Sequence, residues 1–400
     1  MKTKMTLPAY QLPQLLIVSA LGLVMVFTWG STYYLLAILA NPIVSDTAWS
    51  IKSVTGALSI GLFIASLASP LIGRKIQNGC SRSILAIGCF LICIGLCILG
   101  TSQNIWIFWF GWAVLGFGMA AGLYDPAFAT LGRLYGKDAR RAIVLLTLIG
   151  GFASTVCWPL SALMLEAWGW RGTVFGYAAI HAFICFPIVI FLIPVPSDDT
   201  IKNNHKIALT ETSFTEDETK SFWIFASILV IHGLIIVNMS ALIFTYLQAQ
   251  GLTLAAAITI GALVGPAQVA ARLIELANKE RHHPIWTLFV SVTLVTAGLG
   301  LLALDNGFPA LAIFLFGIGN GFFSIVRGSL PLALYRAGRY PSVIGALARP
   351  WLMAQSCAPI LGILLIIWIG PQTSLKCVAA FSALNIFLVL RLLKATVDLR

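Results

Sequence analysis

The chain predicts an all-α membrane protein that crosses the bilayer twelve times. Three observations predict it. Twelve apolar stretches, each about 20 residues or longer, fill most of the 400 residues, and a hydrocarbon core ~30 Å thick needs roughly 20 apolar residues per helix. The composition is 59% hydrophobic and 10% charged, with a mean hydropathy of +0.94, against roughly 25% charged residues in soluble domains. The stretches are continuous, without the period-two alternation of barrel strands, so their backbone groups are satisfied within helices.

The first span, 14–39, follows Lys2 and Lys4. It is too long for the apolar core of a cleaved signal and reads as a retained helix. It carries Trp29 and Tyr33, four apart and so on one face. Span two is 49–70. Span three, 83–101, holds Cys89, Cys93 and Cys97 in one stripe. No histidine or acid accompanies them, so packing is the better reading than a soft-metal site. Span four, 105–131, contains Tyr124, Asp125 and Pro126; the proline removes a helix donor and predicts a kink that frees the Gly122 carbonyl. Spans five and six are 142–166 and 172–193, the latter with His181 in a structural role.

A polar stretch from Pro194 to Ser221 separates two groups of six spans, giving segments 1–194, 195–221 and 222–400. It is short enough to be a tether with at most one surface helix. Span seven, 222–248, carries His232 and Asn238. Spans eight and nine are 253–274 and 285–303. Span ten, 308–334, carries Asn320 and Arg327; span eleven, 342–369, carries Arg349; span twelve is 373–391.

Basic residues set the orientation. Of 25 lysines and arginines, 20 fall at the termini, in the central loop and in the loops on that same side; Arg140 and Arg272 are counted among these loop residues. The positive-inside rule places both termini and the central loop in the cytoplasm. The net charge of +11 follows from this asymmetry and suits anionic lipid rather than nucleic acid.

Six plus six spans with a polar central loop resemble the major facilitator superfamily, over essentially the whole chain. The stretch from Gly73 through Arg74 to Arg82 is similar to that family's loop between spans two and three. Gln77 stands where the family usually has Asp. Gly169, Trp170 and Arg171, then Phe175, look like its boundary between spans five and six. Trp112 replaces the arginine of the fourth-span motif, and the fifth-span antiporter motif is only faintly present at Gly150–Gly151 and Trp158–Pro159. The resemblance implies two six-helix bundles related by a pseudo-two-fold axis, with spans one, four, seven and ten around a central cavity. Gly116 and Gly118 recur as Gly317 and Gly319 at a shift of 201, as such a repeat requires. A bacterial inner-membrane monomer is the implied setting.

Among the 14 acidic residues, Asp125 alone is placed well inside a span, ~12 Å from Arg133 along the helix. Charge at such depth is functional by default. Asp125 is therefore a protonation site, a cation ligand or one partner of a gate ion pair. Arg327 and Arg349 lie about 14–15 Å inside at the same level. They are expected to form a buried network with Asp125, one pairing with it and the other free for an anionic group; the alternative is that both snorkel to headgroups. Trp29, Tyr33, Tyr124, His232, Asn238 and Asn320 are the further candidates for substrate contact, with helix packing as the alternative for each.

The function expected is secondary active transport of a small organic solute by alternating access, with protons as a possible partner. A non-transporting membrane receptor of the same fold is the second reading. The chain carries no phosphate-binding loop, no GxSxG and no clustered histidine and carboxylate pattern, so an enzyme or ATP-driven pump is not expected, nor any cofactor or metal.

Overall fold

Eleven helices long and apolar enough to cross a bilayer run through the computed structural model, which describes residues 11–194, 215–278, 281–304, 307–335 and 338–397. One of them, Ala139–Leu192, has 54 residues, about 80 Å of helix and more than twice a hydrocarbon core. It breaks at Gly169, where φ is 68° and ψ 179°, a region open essentially to glycine alone. The chain therefore crosses twelve times. We number the crossings α1 (Gln14–Thr47), α2 (Ile51–Gln77), α3 (Ser81–Thr101), α4 (Ile105–Tyr135), α5 (139–168), α6 (170–192), α7 (Glu216–Ala249), α8 (Leu254–Ala277), α9 (Pro284–Ala303), α10 (Pro309–Leu334), α11 (Tyr340–Ile369) and α12 (Pro371–Lys394).

Polar caps and prolines fix most helix starts. The Ser50 and Asn104 side chains accept from the backbone at Ser53 and Ile107, satisfying first-turn donors that have no helical partner. Pro284, Pro309 and Pro371 occupy first-turn positions where a missing N–H costs nothing. Thr215 and Glu218 form a reciprocal capping box, so α7 starts at Glu216. The central segment is corrected accordingly: residues 216–221 are helix, and 195–214 lie outside the described residues.

Two crossings are interrupted where their chemistry matters. α1 loosens after Ser31, and the Tyr34 amide bonds back to the Trp29 carbonyl at 3.0 Å, a five-residue turn. α4 breaks at Leu123, whose backbone is extended. Pro126 lies three residues on, and the kink expected there is present.

The repeat is realised in packing. A methyl at Gly116 would strike the Gly61 carbonyl of α2, and one at Gly118 would strike Ile92 of α3. The corresponding Gly317 and Gly319 of α10 face Val264 and Ala267 of α8, and Ser291 and Val295 of α9. Helix four meets two and three as ten meets eight and nine.

Arg74, Lys75, Arg133, Arg140 and Arg339 gather at one end of the bundle, here called the basic end. The halves share two hydrophobic cores toward that end. One joins Phe128, Ile143 and Leu146 to Tyr340 and Ile344. The other joins Leu62, Ala65 and Leu123 to Val326, Leu347 and Trp351. Toward the opposite end each half keeps its own core, around Phe108, Trp112 and Tyr177 in the first and Tyr246, Leu299 and Ile313 in the second.

Candidate functional site

Where α2 crosses α11, backbone meets backbone. A methyl at Gly73 would lie 2.5 Å from the Pro341 carbonyl oxygen and 2.9 Å from the Gly345 Cα; one at Gly345 would lie 2.7 Å from the Ser69 carbonyl oxygen. No side chain larger than hydrogen fits at either position while the two helices stay in contact. The other members of the loop motif act inside the first half. Arg74 is exposed, and Arg82 donates to the Ile190 carbonyl at 3.1 Å. Arg133 donates to the Gln77 carbonyl and so caps α2.

Beside that crossing sits the ion pair of Asp125 and Arg327, 2.9 Å apart, with side chains 10% and 9% exposed. The Arg327 guanidinium lies 5.0 Å from the Trp351 ring centroid and 6.0 Å from that of Phe128. The cavity at Asp125 holds only about 10 Å³ and is walled by Ser69, Gly73, Ile344 and Gly345. That is room for about one water, not for an organic solute. Asp125 is thus sealed between the halves.

A second buried pair joins the halves nearer the basic end. Arg140 of α5 donates to Glu275 of α8 at 2.8 Å and to the His282 carbonyl at 2.6 Å. Thr287 and His282 surround the same carboxylate. Glu275 is 5% exposed and inside α8, so Asp125 is not the only acidic residue buried in a crossing. Arg140 and Arg272, read from sequence as loop residues, are likewise buried in helices.

Arg349 does not join this network. It is exposed, because the buried face of α11 runs through Gly345, Ala348 and Leu352 and the next residue is turned ~100° away. Of the three arginines buried among the described residues, Arg140, Arg272 and Arg327, the one without a carboxylate is Arg272. It is 5% exposed. Its Nε donates to Ser324 Oγ and its Nη2 to Gln268 Oε1, both at 3.4 Å, while Nη1 is buried with no partner. None of the ion pairs among the described residues includes it.

Arg272 abuts the candidate aromatic wall. A methyl at Gly151 would collide with its Nη1, and a methyl at the adjacent Gly150 would lie 2.6 Å from the Tyr124 hydroxyl. The Tyr124 ring is 5.1 Å from Trp29, which is 5.1 Å from Tyr33 and 6.0 Å from Tyr34. Trp158 closes on Tyr34 at 6.0 Å. The buried Nε1 of Trp29 also has no partner. Helices α1, α4 and α5 of the first half and α8 of the second thus converge on two unpaired donors. The turn after Ser31 folds Tyr33 and Tyr34 back against Trp29, and Ser31 Oγ and His181 Nε2 of α6 are hydrogen-bonded at 2.8 Å.

His232 and Asn320 meet, as their spans allow, at 3.1 Å. His232 stacks on Phe323 at 3.5 Å and lies 6.2 Å from Trp351, on the second-half side of Arg327. Asn238 is a correction. It leaves the central group and accepts from Tyr246 of its own helix at 2.9 Å. Arg272 was missed because it was counted with the loop charges that follow span eight, although it lies two residues inside the end of that span at 274. One sequence signal marks it: Ala267, Ala271 and Glu275 recur at four-residue spacing beside it, the contact face of a continuing helix.

The family model of the Major Facilitator Superfamily matches residues 21–348. The chain belongs to that superfamily. A human protein named monocarboxylate transporter 11 is 26% identical over 38% of this chain and 31% of its own length. The chicken monocarboxylate transporter 4 is 22% identical over 80% of this chain and 67% of its own. The chain thus spans under a third of the mammalian relative's length. Among solved structures, the human organic anion transporter MFSD10 superposes with a TM-score of 0.74 at 13% identity, covering 94% of this chain and 99% of that one. The Escherichia coli fucose:proton symporter FucP gives 0.69 at 13% identity, covering 96% and 99%. Membership of the superfamily and the all-helical two-bundle fold are therefore shown.

Proposed function

We propose that this superfamily member is a secondary transporter of a small organic anion bearing a carboxylate, held at Arg272 between the halves. The observation that carries the reading is the buried Arg272 guanidinium with an unpaired Nη1 beside an aromatic wall. A planar guanidinium matches a carboxylate in two-point geometry, and an unpaired buried charge is costly until a ligand neutralises it. The relatives named as monocarboxylate transporters support the same class.

Residues 1–194 and 222–400 would move as two bodies about this site. The basic end faces the cytoplasm by the positive-inside rule, and the Gly73–Gly345 contact and the two ion pairs close it. The conformation described is then the one open to the outside. Protonation of Asp125 would release Arg327 and loosen that closure, so a proton gradient has a route into the cycle. A charge moved through 100 mV supplies ~2.3 kcal/mol.

The test is a thermal-stability panel on purified protein with short and aromatic carboxylates, sugars and amines, for wild type and Arg272→Gln. A ligand at about 100 times its Kd stabilises by ~2.7 kcal/mol. Carboxylates should stabilise wild type and not the variant. Stabilisation by sugars or amines, equal in both proteins, would remove the proposal.

A further inference from the structure

The two ion pairs that join the halves differ in their access to water. Asp125 and Arg327 are sealed beside the glycine contact, with room for about one water. The Glu275 side chain is as deeply buried, at 4% exposed, but it is reached by a chain of side chains that ends at the surface. His282, on the turn between α8 and α9, is 27% exposed, and its Nε2 lies 3.7 Å from Glu275 Oε2. Nε2 is also 2.7 Å from the Thr287 hydroxyl of α9. That hydroxyl lies 3.3 Å from Glu275 Oε2 and 3.4 Å from Oε1.

The hydrogen bonds run in one direction. Asn278 Nδ2, at the end of α8, donates to His282 Nδ1 at 2.8 Å. The neutral imidazole then carries its proton on Nε2 and donates to Thr287 Oγ1, and the Thr287 hydroxyl donates to the carboxylate. Such a chain is a ready path for a proton. Among the described residues, the charged or titratable side chains on this carboxylate are Arg140 from α5 and His282. Arg272, three residues back on α8, turns its guanidinium to Ser324 and Gln268. Asp138, Arg141 and Arg281 are exposed.

We propose that Glu275 is a proton-binding site served from the basic-end surface by His282 and Thr287, and that its protonation releases Arg140 and unlatches the two halves there. The step balances. Water delivers a proton to His282 Nδ1 as the Asn278 amide turns to offer its oxygen. The Nε2 proton passes to Thr287 Oγ1 while the Thr287 proton passes to Glu275. The imidazole ends neutral, the threonine ends as a hydroxyl, and the carboxylate ends as a carboxylic acid. One proton has moved from water to Glu275, and no bond between heavy atoms has changed. Arg140 then keeps only the His282 carbonyl, and the attraction between α5 and α8 is lost. The inference does not depend on what binds at Arg272.

Infrared difference spectra of the purified full chain, taken from about pH 8 to about pH 4, read the carbonyl band of a protonated carboxyl group directly. Acid should raise a band that Glu275→Gln removes and Asp125→Asn keeps. After a rapid pH drop, Thr287→Val and His282→Phe should slow the rise of that band about a hundredfold, as expected on losing a positioned proton donor. Thr287→Ser, which keeps the hydroxyl, should restore the rate. Electron-spin distances between labels at the exposed positions 141 and 273 should lengthen on acidification in wild type. In Glu275→Gln they should be lengthened at every pH. The absence of any acid-induced band that depends on Glu275 would overturn the proton site. A band that rises equally fast in Thr287→Val and His282→Phe would overturn the relay. A distance that stays constant while the Glu275 band rises would overturn the latch.

Discussion

The two ends of this bundle are built differently. At the basic end the halves interlock: glycine backbones touch at Gly73 and Gly345, Tyr340 packs on Gly132, and two buried ion pairs cross between α4 and α10 and between α5 and α8. At the opposite end the polar fastening stays within one half. Asp46 of α1 accepts from Trp170 and Arg171 of α6, and Arg171 also reaches the Ser102 carbonyl at 3.0 Å. Both ion pairs that join the halves, among the described residues, belong to the first region. Contacts of the second kind hold one bundle together, and contacts of the first kind hold the two bundles against each other. If the two halves move as rigid bodies, a clamp inside one half would persist in every state. A clamp between halves exists only while that end is closed, and its loss shifts a population by its own free energy.

The largest effect should come from the glycine contact. Gly73→Val or Gly345→Val places a branched side chain where backbone atoms now lie within 3 Å, so the basic end should fail to close. Electron-spin distances between labels at positions 75 and 342 should lengthen. Unchanged distances would mean that this contact does not hold the halves.

Removal of one partner of the buried pair comes next. Asp125→Asn leaves Arg327 charged and unpaired, a loss of about 3–5 kcal/mol for such sites. Arg327→Gln should do the same, and the double variant should recover much of the thermal stability. Additive losses in a double-mutant cycle would show that the two side chains do not act together. If Asp125 also carries the coupling proton, Asp125→Asn should abolish uphill accumulation and spare exchange.

A smaller change is expected at Arg140 and Glu275, where Thr287 and His282 remain to bond the surviving partner. Glu275→Gln should shift the same spin-label distances partially. Arg349→Ala should change neither stability nor transport beyond experimental scatter. A loss there comparable to that of Arg327 would mean that the outward stripe of α11 faces a partner or cavity after all.

Much of the fold was legible because it follows from local chemistry. Apolar length gave the crossings, Pro126 gave the break in α4, and the spaced glycines gave the repeat, since close helix packing leaves no room for a Cβ. The site was legible only in part. Trp29, Tyr33, Tyr124 and Asp125 were candidates because depth and face can be counted along one helix, and the structure packs the three aromatic rings together. Asn238 was misplaced because a single residue can face either the central axis or lipid, and periodicity did not separate the two. Arg349 and Arg327 looked equivalent at equal depth, yet one helical step decides which faces the other half.

The sequence by itself determined that this is a twelve-crossing membrane protein, which end is basic, and that Asp125 is buried. These are properties of segments, set by transfer of side chains from water and by the steric demands of glycine and proline. Only the tertiary structure decided that Arg327 takes Asp125, that Arg140 takes Glu275, and that Arg272 is left unpaired beside the aromatic wall. Ion pairing in a low-dielectric interior depends on distances of a few ångströms between groups far apart in the chain. Composition and spacing do not fix those distances, and the docking of the two halves does.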